Sequence, residues 1–140
     1  MWGNIYMCTL KVLLADDHKS FRRILSAFLK AQQGIEIVGE AANGQEVVEK
    51  AEHLHPDLIL MDFHMPLQNG IEAAKTIKNH LPSTRVFIMS MDISEICQKN
   101  AHACADGFIA KSSMKNALLS ILAFEQQLLL KSTVPNEVAA

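Results

Sequence analysis

The strongest constraint on this chain is a repeated alternation of short apolar runs with segments of helical periodicity. The runs occupy residues 11–15, 35–41, 58–61, 85–89 and 108–110. Five strand–helix repeats of this kind predict a parallel sheet covered by helices on both faces. The expected fold class is therefore α/β, a doubly wound five-stranded parallel sheet with five helices in a single domain.

Helices are predicted between and after these runs. The clearest covers residues 18–33, where apolar residues recur at i, i+3, i+4, i+7 and i+8, and Gly34 is expected to end it. Further helices are predicted over residues 45–53, 71–80 and 92–104, with a last one, capped by Ser112 or Ser113, that reaches Lys131. The residues expected to face the sheet include Phe21, Ile24, Leu25, Phe28 and Leu29 in the first helix, and Ile93, Ile96, Cys97 and Ala101 in the fourth.

The composition excludes several classes of protein. A formal charge of −2 produces no field that attracts nucleic acid, so direct nucleic-acid binding by this segment is not expected. No apolar stretch approaches the roughly 20 residues that cross a membrane, so no membrane association is expected. The three cysteines lack the paired spacing of a zinc site, which favours reduced thiols in a cytoplasmic protein.

The 140 residues fit one domain with an ordinary core. Residues 1–9 are interpreted as an N-terminal extension and residues 10–131 as the folded domain. Residues 132–140 contain Pro135 and are interpreted as a tail or the start of a linker.

Four of the apolar runs end in a polar or charged residue. Asp16 and Asp17 follow the first run, Asp62 the third, Ser90 the fourth and Lys111 the fifth. Ligands of open parallel sheets bind beyond the carboxyl ends of the strands. The pattern therefore predicts one chemical site at one edge of the sheet. Considered alone, the two adjacent acids could instead cap the first helix, and the serine could be an ordinary helix cap.

Three carboxylates in one small pocket repel one another, and a divalent cation relieves that repulsion. Oxygen ligands without cysteine or histidine at metal spacing favour Mg²⁺, which also binds phosphate oxygens. Asp62 is the carboxylate best placed as a nucleophile towards phosphorus. Lys111 and Ser90 are expected to contact two phosphoryl oxygens. The histidines outside the 62–66 segment, including His18, are interpreted as surface or loop residues.

Several short motifs, in their order and spacing, resemble the response-regulator receiver domain of two-component signalling. The resemblance covers about residues 10 to 130, and is strongest to the receivers found ahead of LuxR-type helix-turn-helix domains, the NarL/FixJ group. The matching segments are Leu14-Ala15-Asp16-Asp17-His18, Val38-Gly39-Glu40-Ala41, Pro56-Asp57, Met61-Asp62-Phe63-His64-Met65-Pro66, Gly70, Ser90 and Ala105-Asp106-Gly107-Phe108-Ile109-Ala110-Lys111.

The resemblance implies a flavodoxin-like (CheY-like) fold with strand order 2-1-3-4-5. It implies that Asp62 accepts phosphate from a sensor histidine kinase, a phosphotransfer protein or a small phosphodonor. It also implies that Mg²⁺ (or Mn²⁺) is held by Asp16, Asp17, Asp62 and the backbone carbonyl of His64.

In the same resemblance, Ser90 and Phe108 form the switch that responds to phosphorylation. Ser112 follows Lys111 where many receivers have proline, often after a cis peptide bond, so the conformation of that bond is left open. His64 and Asp92 each lie two residues beyond a site residue, and we hypothesise that they tune the lifetime of the acyl phosphate.

The expected function is a phosphorylation switch that controls a DNA-binding output domain absent from this chain, without enzymatic activity beyond self-catalysed phosphorylation and dephosphorylation. One alternative is a stand-alone receiver that acts by protein–protein contact. Another is a phosphatase of the haloacid-dehalogenase type, although that class has a second acid where this chain has His64. The last helix carries more apolar residues than one docking stripe requires, so a homodimer through this helix is also expected.

Overall fold

The computed structural model describes residues 9–133, with side chains described as far as Lys131. Ten helices and strands alternate along these residues, and a single 3₁₀ turn over Lys111–Ser113 precedes the last helix. The elements are β1 (Leu10–Ala15), α1 (Lys19–Lys30), β2 (Ile35–Ala41), α2 (Gly44–Leu54), β3 (Leu58–Asp62), α3 (Gly70–His80), β4 (Arg85–Ser90), α4 (Glu95–Cys104), β5 (Gly107–Ala110) and α5 (Met114–Thr133).

The five strands form one parallel sheet in the order β2-β1-β3-β4-β5. This confirms the predicted fold class and strand order. β3 lies at the centre, and all five of its residues are buried, as expected for a strand covered on both faces. Its last residue, Asp62, pairs with Met89 of β4, so the carboxylate lies at the carboxyl edge of the sheet.

Alternate residues of the strands pack into two separate cores. Leu13 and Ile59 belong to the core beneath α2, α3 and α4, whereas Leu14 and Leu60 belong to the core beneath α1 and α5. Because strand side chains alternate between faces, each apolar run supplies both cores at once. This explains why the runs contain few polar interruptions.

The first helix is shorter than predicted. It ends at Lys30, and Gly34, with a φ of 79°, belongs to the turn that leads into β2. The capping alternative for Asp16 is also wrong, because Asp16 Oδ1 accepts a hydrogen bond from the amide of His18, which is itself the N-cap residue. Ile24 was predicted to face the sheet but is 69% exposed.

The fourth helix begins at Glu95, three residues later than predicted. Ser94 caps it by accepting a hydrogen bond from the amide of Cys97, so Ser90 is not its cap. Ile93 and Ile96 were predicted to be buried, yet both are exposed. The apolar spacing was read correctly as helical, but its first members precede or start the helix and lie outside the packed face.

The last helix extends two residues beyond the predicted end at Lys131, so positions 132 and 133 are helical and are not part of a tail. The remaining positions of the predicted tail, 134–140, and residues 1–8 of the predicted extension lie outside the described residues. The peptide between Lys111 and Ser112 is trans. Within residues 9–133, no helix is both long enough and apolar enough to span a bilayer.

Candidate functional site

Three of the predicted site residues are in direct contact at the carboxyl edge of the sheet. Lys111 Nζ lies 2.6 Å from Asp16 Oδ2 and 2.9 Å from Asp62 Oδ1. Asp16 directly follows β1, Asp62 ends the neighbouring strand β3, and Lys111 directly follows β5. The ammonium group therefore bridges two carboxylates that come from distant parts of the sequence.

The three groups are largely withdrawn from solvent. The side chains of Asp16, Asp62 and Lys111 are 1%, 7% and 9% exposed. Burial raises the pKa of the Asp62 carboxyl, and the negative charge of Asp16 raises it further, although the hydrogen bond from Lys111 opposes the rise. Burial lowers the pKa of Lys111, but its hydrogen bonds to Asp16 and Asp62 outweigh this effect and the pKa is raised. The lysine is therefore a firmly charged group at neutral pH.

A metal ion fits the chemistry of this cluster. Asp16, Asp17, Asp62 and His18 each offer one ligand atom, and these atoms lie within 4.8 Å of one another. Asp16 and Asp62 share one ammonium and Asp17 lies beside them, which leaves an excess of negative charge in a partly buried pocket. The three carboxylates of this set are hard oxygen donors, which suit Mg²⁺.

His18 was interpreted from the sequence as a surface residue. Its side chain is indeed 69% exposed, but Nδ1 lies 3.2 Å from Asp16 Oδ1 and 3.1 Å from Asp17 Oδ1. The imidazole therefore borders the acidic cluster. The available signal was its position directly after the two aspartates.

Arg22 is a supporting residue that sequence reasoning missed. It lies among the polar residues of α1, yet its side chain is only 15% exposed. Its guanidinium donates to the backbone carbonyl of Asp16 and forms an ion pair of 3.0 Å with Glu40 of β2. The arginine thereby ties the end of β1 to α1 and β2. A charged residue in a helical pattern gave no signal of this contact.

Gly70 allows the chain after Asp62 to fold back on itself. A Cβ atom at this position would lie 2.3 Å from the backbone oxygen of Asp62, which is far inside contact distance. The Gly70 amide also donates to the carbonyl of Phe63 at 2.9 Å. The glycine at the start of α3 therefore determines how closely the loop packs against the end of β3.

Ser90 lies at the end of β4, and its hydroxyl bonds within its own loop. It accepts a hydrogen bond from the amide of Asp92 at 3.0 Å, and Cys97 Sγ lies 3.8 Å from the same oxygen. Its hydrogen bonds in residues 9–133 do not reach the carboxylates. The serine is therefore near the cluster along the sheet edge but is held by the loop and by the first turns of α4.

Three further predicted residues, His64, Asp92 and Phe108, lie outside the cluster of Asp16, Asp17, His18 and Asp62. His64 is exposed, and its ring centroid lies 4.7 Å from that of Phe63. The hydrogen bond from the Ser94 amide lowers the pKa of the Asp92 carboxyl. Phe108 is half-buried and packs on the core beneath α2, α3 and α4.

The sequence and fold of this chain are similar to those of known proteins. The family described as the response regulator receiver domain matches residues 12–123. The response regulator protein VraR of Staphylococcus aureus is 41% identical over 106 residues, which cover 75% of this chain and 51% of VraR. The chain thus spans about half the length of the curated relatives it matches.

Solved structures of response regulators have the same fold as this chain. The signal receiver domain of the response regulator NarL from Mycobacterium tuberculosis superposes with a TM-score of 0.80 and 27% identity, over 86% of this chain and 98% of that one. The response regulator domain of Thermotoga maritima CheB superposes with a TM-score of 0.73 and 32% identity, over 91% and 99%.

The likeness to VraR and NarL supports the NarL/FixJ subgroup. The family is one of signalling proteins and not of enzymes, so the haloacid-dehalogenase alternative finds no support. With its 2-1-3-4-5 sheet and its matched sequence, this chain belongs to the response regulator receiver domains of two-component signalling.

Proposed function

We propose that Asp62 is the phosphoacceptor of this receiver domain and that its phosphorylation requires Mg²⁺ or Mn²⁺. The observation that carries the proposal is the contact of one buried ammonium group with both Asp16 and Asp62. Phosphoryl transfer requires mainly positioning and neutralisation of charge. The cluster offers a nucleophile, an ammonium group and a set of oxygen ligands within one small volume.

In the proposed step, an Asp62 carboxylate oxygen attacks the phosphorus of the donor. An O–P bond forms while the P–N bond of a phosphohistidine, or the P–O bond of an acyl phosphate, breaks. The donor leaves with its bonding electron pair, and a histidine donor takes up a proton from solvent. The donors proposed are a sensor histidine kinase, a phosphotransfer protein or a small phosphodonor.

The side chains of Asp16, Asp17 and Asp62 and the backbone carbonyl of His64 would hold the divalent ion. When bound, the ion neutralises charge on the phosphoryl oxygens. Lys111 already lies 2.9 Å from an Asp62 oxygen, so a small movement of its flexible stem brings the ammonium onto a phosphoryl oxygen. Its raised pKa keeps it charged for this role.

The switch is assigned to Ser90 and Phe108. The Ser90 oxygen accepts from the Asp92 amide and from Cys97, so a movement of this hydroxyl towards a phosphoryl group on Asp62 alters both contacts. These contacts connect Ser90 to the loop before α4, so its movement changes the start of that helix. Phosphorylation then shifts a two-state equilibrium, which an interaction surface transmits.

The output proposed is control of a DNA-binding domain in the same polypeptide. This rests on the likeness to VraR and NarL and on the coverage of only half of VraR. A stand-alone receiver that acts through protein–protein contact is the alternative. The two alternatives are separated by expressing the complete coding region. The test asks whether the encoded protein is longer than this chain and whether it binds promoter DNA.

We propose in addition that two copies associate through α5. One face of this helix packs on the sheet through Leu118 and Leu122, while Leu119, Phe124 and Leu128 are between 38% and 54% exposed. Light scattering of the phosphorylated and unphosphorylated protein tests this association. A monomer in both states would contradict it.

The phosphoacceptor is tested by intact-mass analysis after incubation with acetyl phosphate and Mg²⁺. One added phosphoryl group is expected in the wild type and none in Asp62→Asn. Asp57→Asn, the same chemical change at the other end of the sheet, is the matched control and should behave like the wild type. Equal incorporation into Asp62→Asn would contradict the assignment.

The lifetime of the acyl phosphate is assigned to His64 and Asp92. His64 follows Asp62 by two residues, and Asp92 follows Ser90 by two residues and donates its amide to the Ser90 hydroxyl. Decay of the phosphorylated protein should change in His64→Ala and Asp92→Ala, whereas unchanged lifetimes in both variants would exclude this role.

A further inference from the structure

The buried ammonium of Lys111 has an aromatic neighbour in addition to its two carboxylates. Lys111 Nζ lies 4.2 Å from the centroid of the Phe21 ring, well within the range of a cation–π contact. Phe21 is the third residue of α1 and was predicted only as a core residue. We propose that Phe21 is a positioning residue for Lys111 in phosphoryl transfer, a role that rests on the function proposed above.

The contacts of Lys111 show why such a residue matters. Its flexible four-carbon stem allows many positions of the ammonium group. Among the described residues, two of the three close neighbours of the ammonium, Asp16 and Asp62, are carboxylates, and the charge on Asp62 changes when it becomes an acyl phosphate. The ring of Phe21 is the third neighbour, and its attraction for a cation does not depend on phosphorylation. It therefore keeps the ammonium at the site while the other contacts rearrange.

The ring also limits the access of water to the ammonium. The Lys111 side chain is only 9% exposed, and Phe21 packs on the core beneath α1 and α5. Electrostatic attraction strengthens where water is excluded. A leucine at this position would retain apolar contact with the core but would lose the electron-rich face of the ring.

Phe28 provides a matched control within the same helix. Both phenylalanines line a groove of about 360 Å³ between α1 and the start of α5, and both pack on the same core. Only Phe21 lies against the ammonium of Lys111. A general loss of packing therefore affects Phe21→Leu and Phe28→Leu alike, whereas a loss of positioning affects only the former.

The first test is the rate of phosphorylation by acetyl phosphate at saturating Mg²⁺. Phe21→Leu is expected to slow it on the order of fivefold. Phe21→Tyr should restore the rate to within about twofold, and Phe28→Leu should match the wild type. In a Lys111→Met background, Phe21→Leu should have little further effect, because the two residues act through one contact. Equal rates in the two leucine variants, or a full Phe21 effect without Lys111, would overturn the proposal.

The second test is independent of phosphorylation. The ε-methylene protons of Lys111 should show a ring-current shift in the NMR spectrum that disappears in Phe21→Leu and persists in Phe28→Leu. An unchanged shift in Phe21→Leu would overturn the contact itself. If acetyl phosphate fails to modify wild-type Asp62, the proposed function fails, and this shift still decides whether Phe21 holds Lys111.

Discussion

The two edges of the central sheet differ in how far their buried carboxylates are balanced by cationic side chains. At the amino edge, Arg85 binds both carboxylate oxygens of Glu125, at 3.0 and 2.9 Å, and contacts Asp106 at 3.2 Å. Lys78 contacts the other oxygen of Asp106 at 2.9 Å. Two cations thus balance two carboxylates, and these pairs join the ends of α3, β4 and the α4–β5 turn to α5.

The carboxyl edge leaves its charges unbalanced. The ammonium of Lys111 contacts two buried carboxylates, Asp16 and Asp62, and the more exposed carboxylate of Asp17 lies beside them. An excess of buried negative charge lowers stability unless a cation binds. In the proposed function, the amino edge stabilises the fold, whereas the carboxyl edge gives up stability for the metal ion and the phosphoryl group that it is proposed to bind.

The largest effect on stability is expected when a cation is removed from the amino edge. Arg85→Met should lower the free energy of unfolding by about 2–3 kcal/mol, because it leaves Glu125 buried without its cation. This is below the usual cost of breaking a buried pair because the arginine side chain is 32% exposed. Urea unfolding measures this change in the free energy of unfolding. In Asp62→Asn, measured without Mg²⁺, the free energy of unfolding should not fall, since the substitution removes an unbalanced charge. A loss below about 0.5 kcal/mol in Arg85→Met would contradict the stabilising role.

The next effect is the response of the two edges to metal. At a Mg²⁺ concentration about ten times the Kd, the free energy of unfolding of the wild type should rise by about 1.4 kcal/mol. Removing the ion with a chelator should reverse the increase. The increase should largely disappear in Asp62→Asn and persist in Glu125→Gln. Equal increases in the two variants would show that the ion binds elsewhere.

A smaller effect is expected in the pH dependence of stability. Burial raises the pKa of Glu125 above its ordinary value of 4.5, and the hydrogen bond from Arg85 only partly offsets this. The folded state therefore binds the proton more tightly than the unfolded state. The resulting stabilisation is complete below the unfolded pKa and is lost as the pH rises through the folded pKa.

The measurement is urea unfolding of the wild type and Glu125→Gln from about pH 4.5 to about pH 7.5. Over this range the stability of the wild type should fall relative to that of the variant. The contribution of Asp62, whose pKa is also raised, is common to both proteins and cancels. A difference that stays constant or grows with pH would contradict the assignment.

The smallest effect concerns backbone strain. Leu67, in the loop after Asp62, has a φ of 70°, and His55, which ends α2 before β3, has a φ of 48°. Leucine is rarely found in this conformation, whereas histidine tolerates it better. Leu67→Gly should therefore raise the free energy of unfolding by about 0.5 kcal/mol after allowance for the greater freedom of glycine. His55→Gly should gain less, and a larger gain at His55 would reverse the expected order of strain.

Sequence periodicity was sufficient to predict the five strands and the fold class. The five apolar runs are the five strands, because a strand covered on both faces has few polar residues. The ends of the helices were less predictable. Ile93 and Ile96 continue a helical pattern but are exposed, since the cap at Ser94 and not the pattern determines where α4 begins. The strand order followed from the family resemblance and not from periodicity.

The sequence by itself determined which side chains come to the carboxyl edge, because each of them directly follows an apolar run and parallel strands all end on the same side. Only the tertiary structure decided what those side chains contact. Three contacts illustrate this: the Phe21 ring against Lys111, the hydrogen bond from Arg22 to the Asp16 carbonyl, and the ion pair of Arg85 with Glu125. They join residues that are far apart in the sequence or that belong to an ordinary helical pattern. Such contacts depend on the distances between packed elements, which a pattern along one segment does not contain.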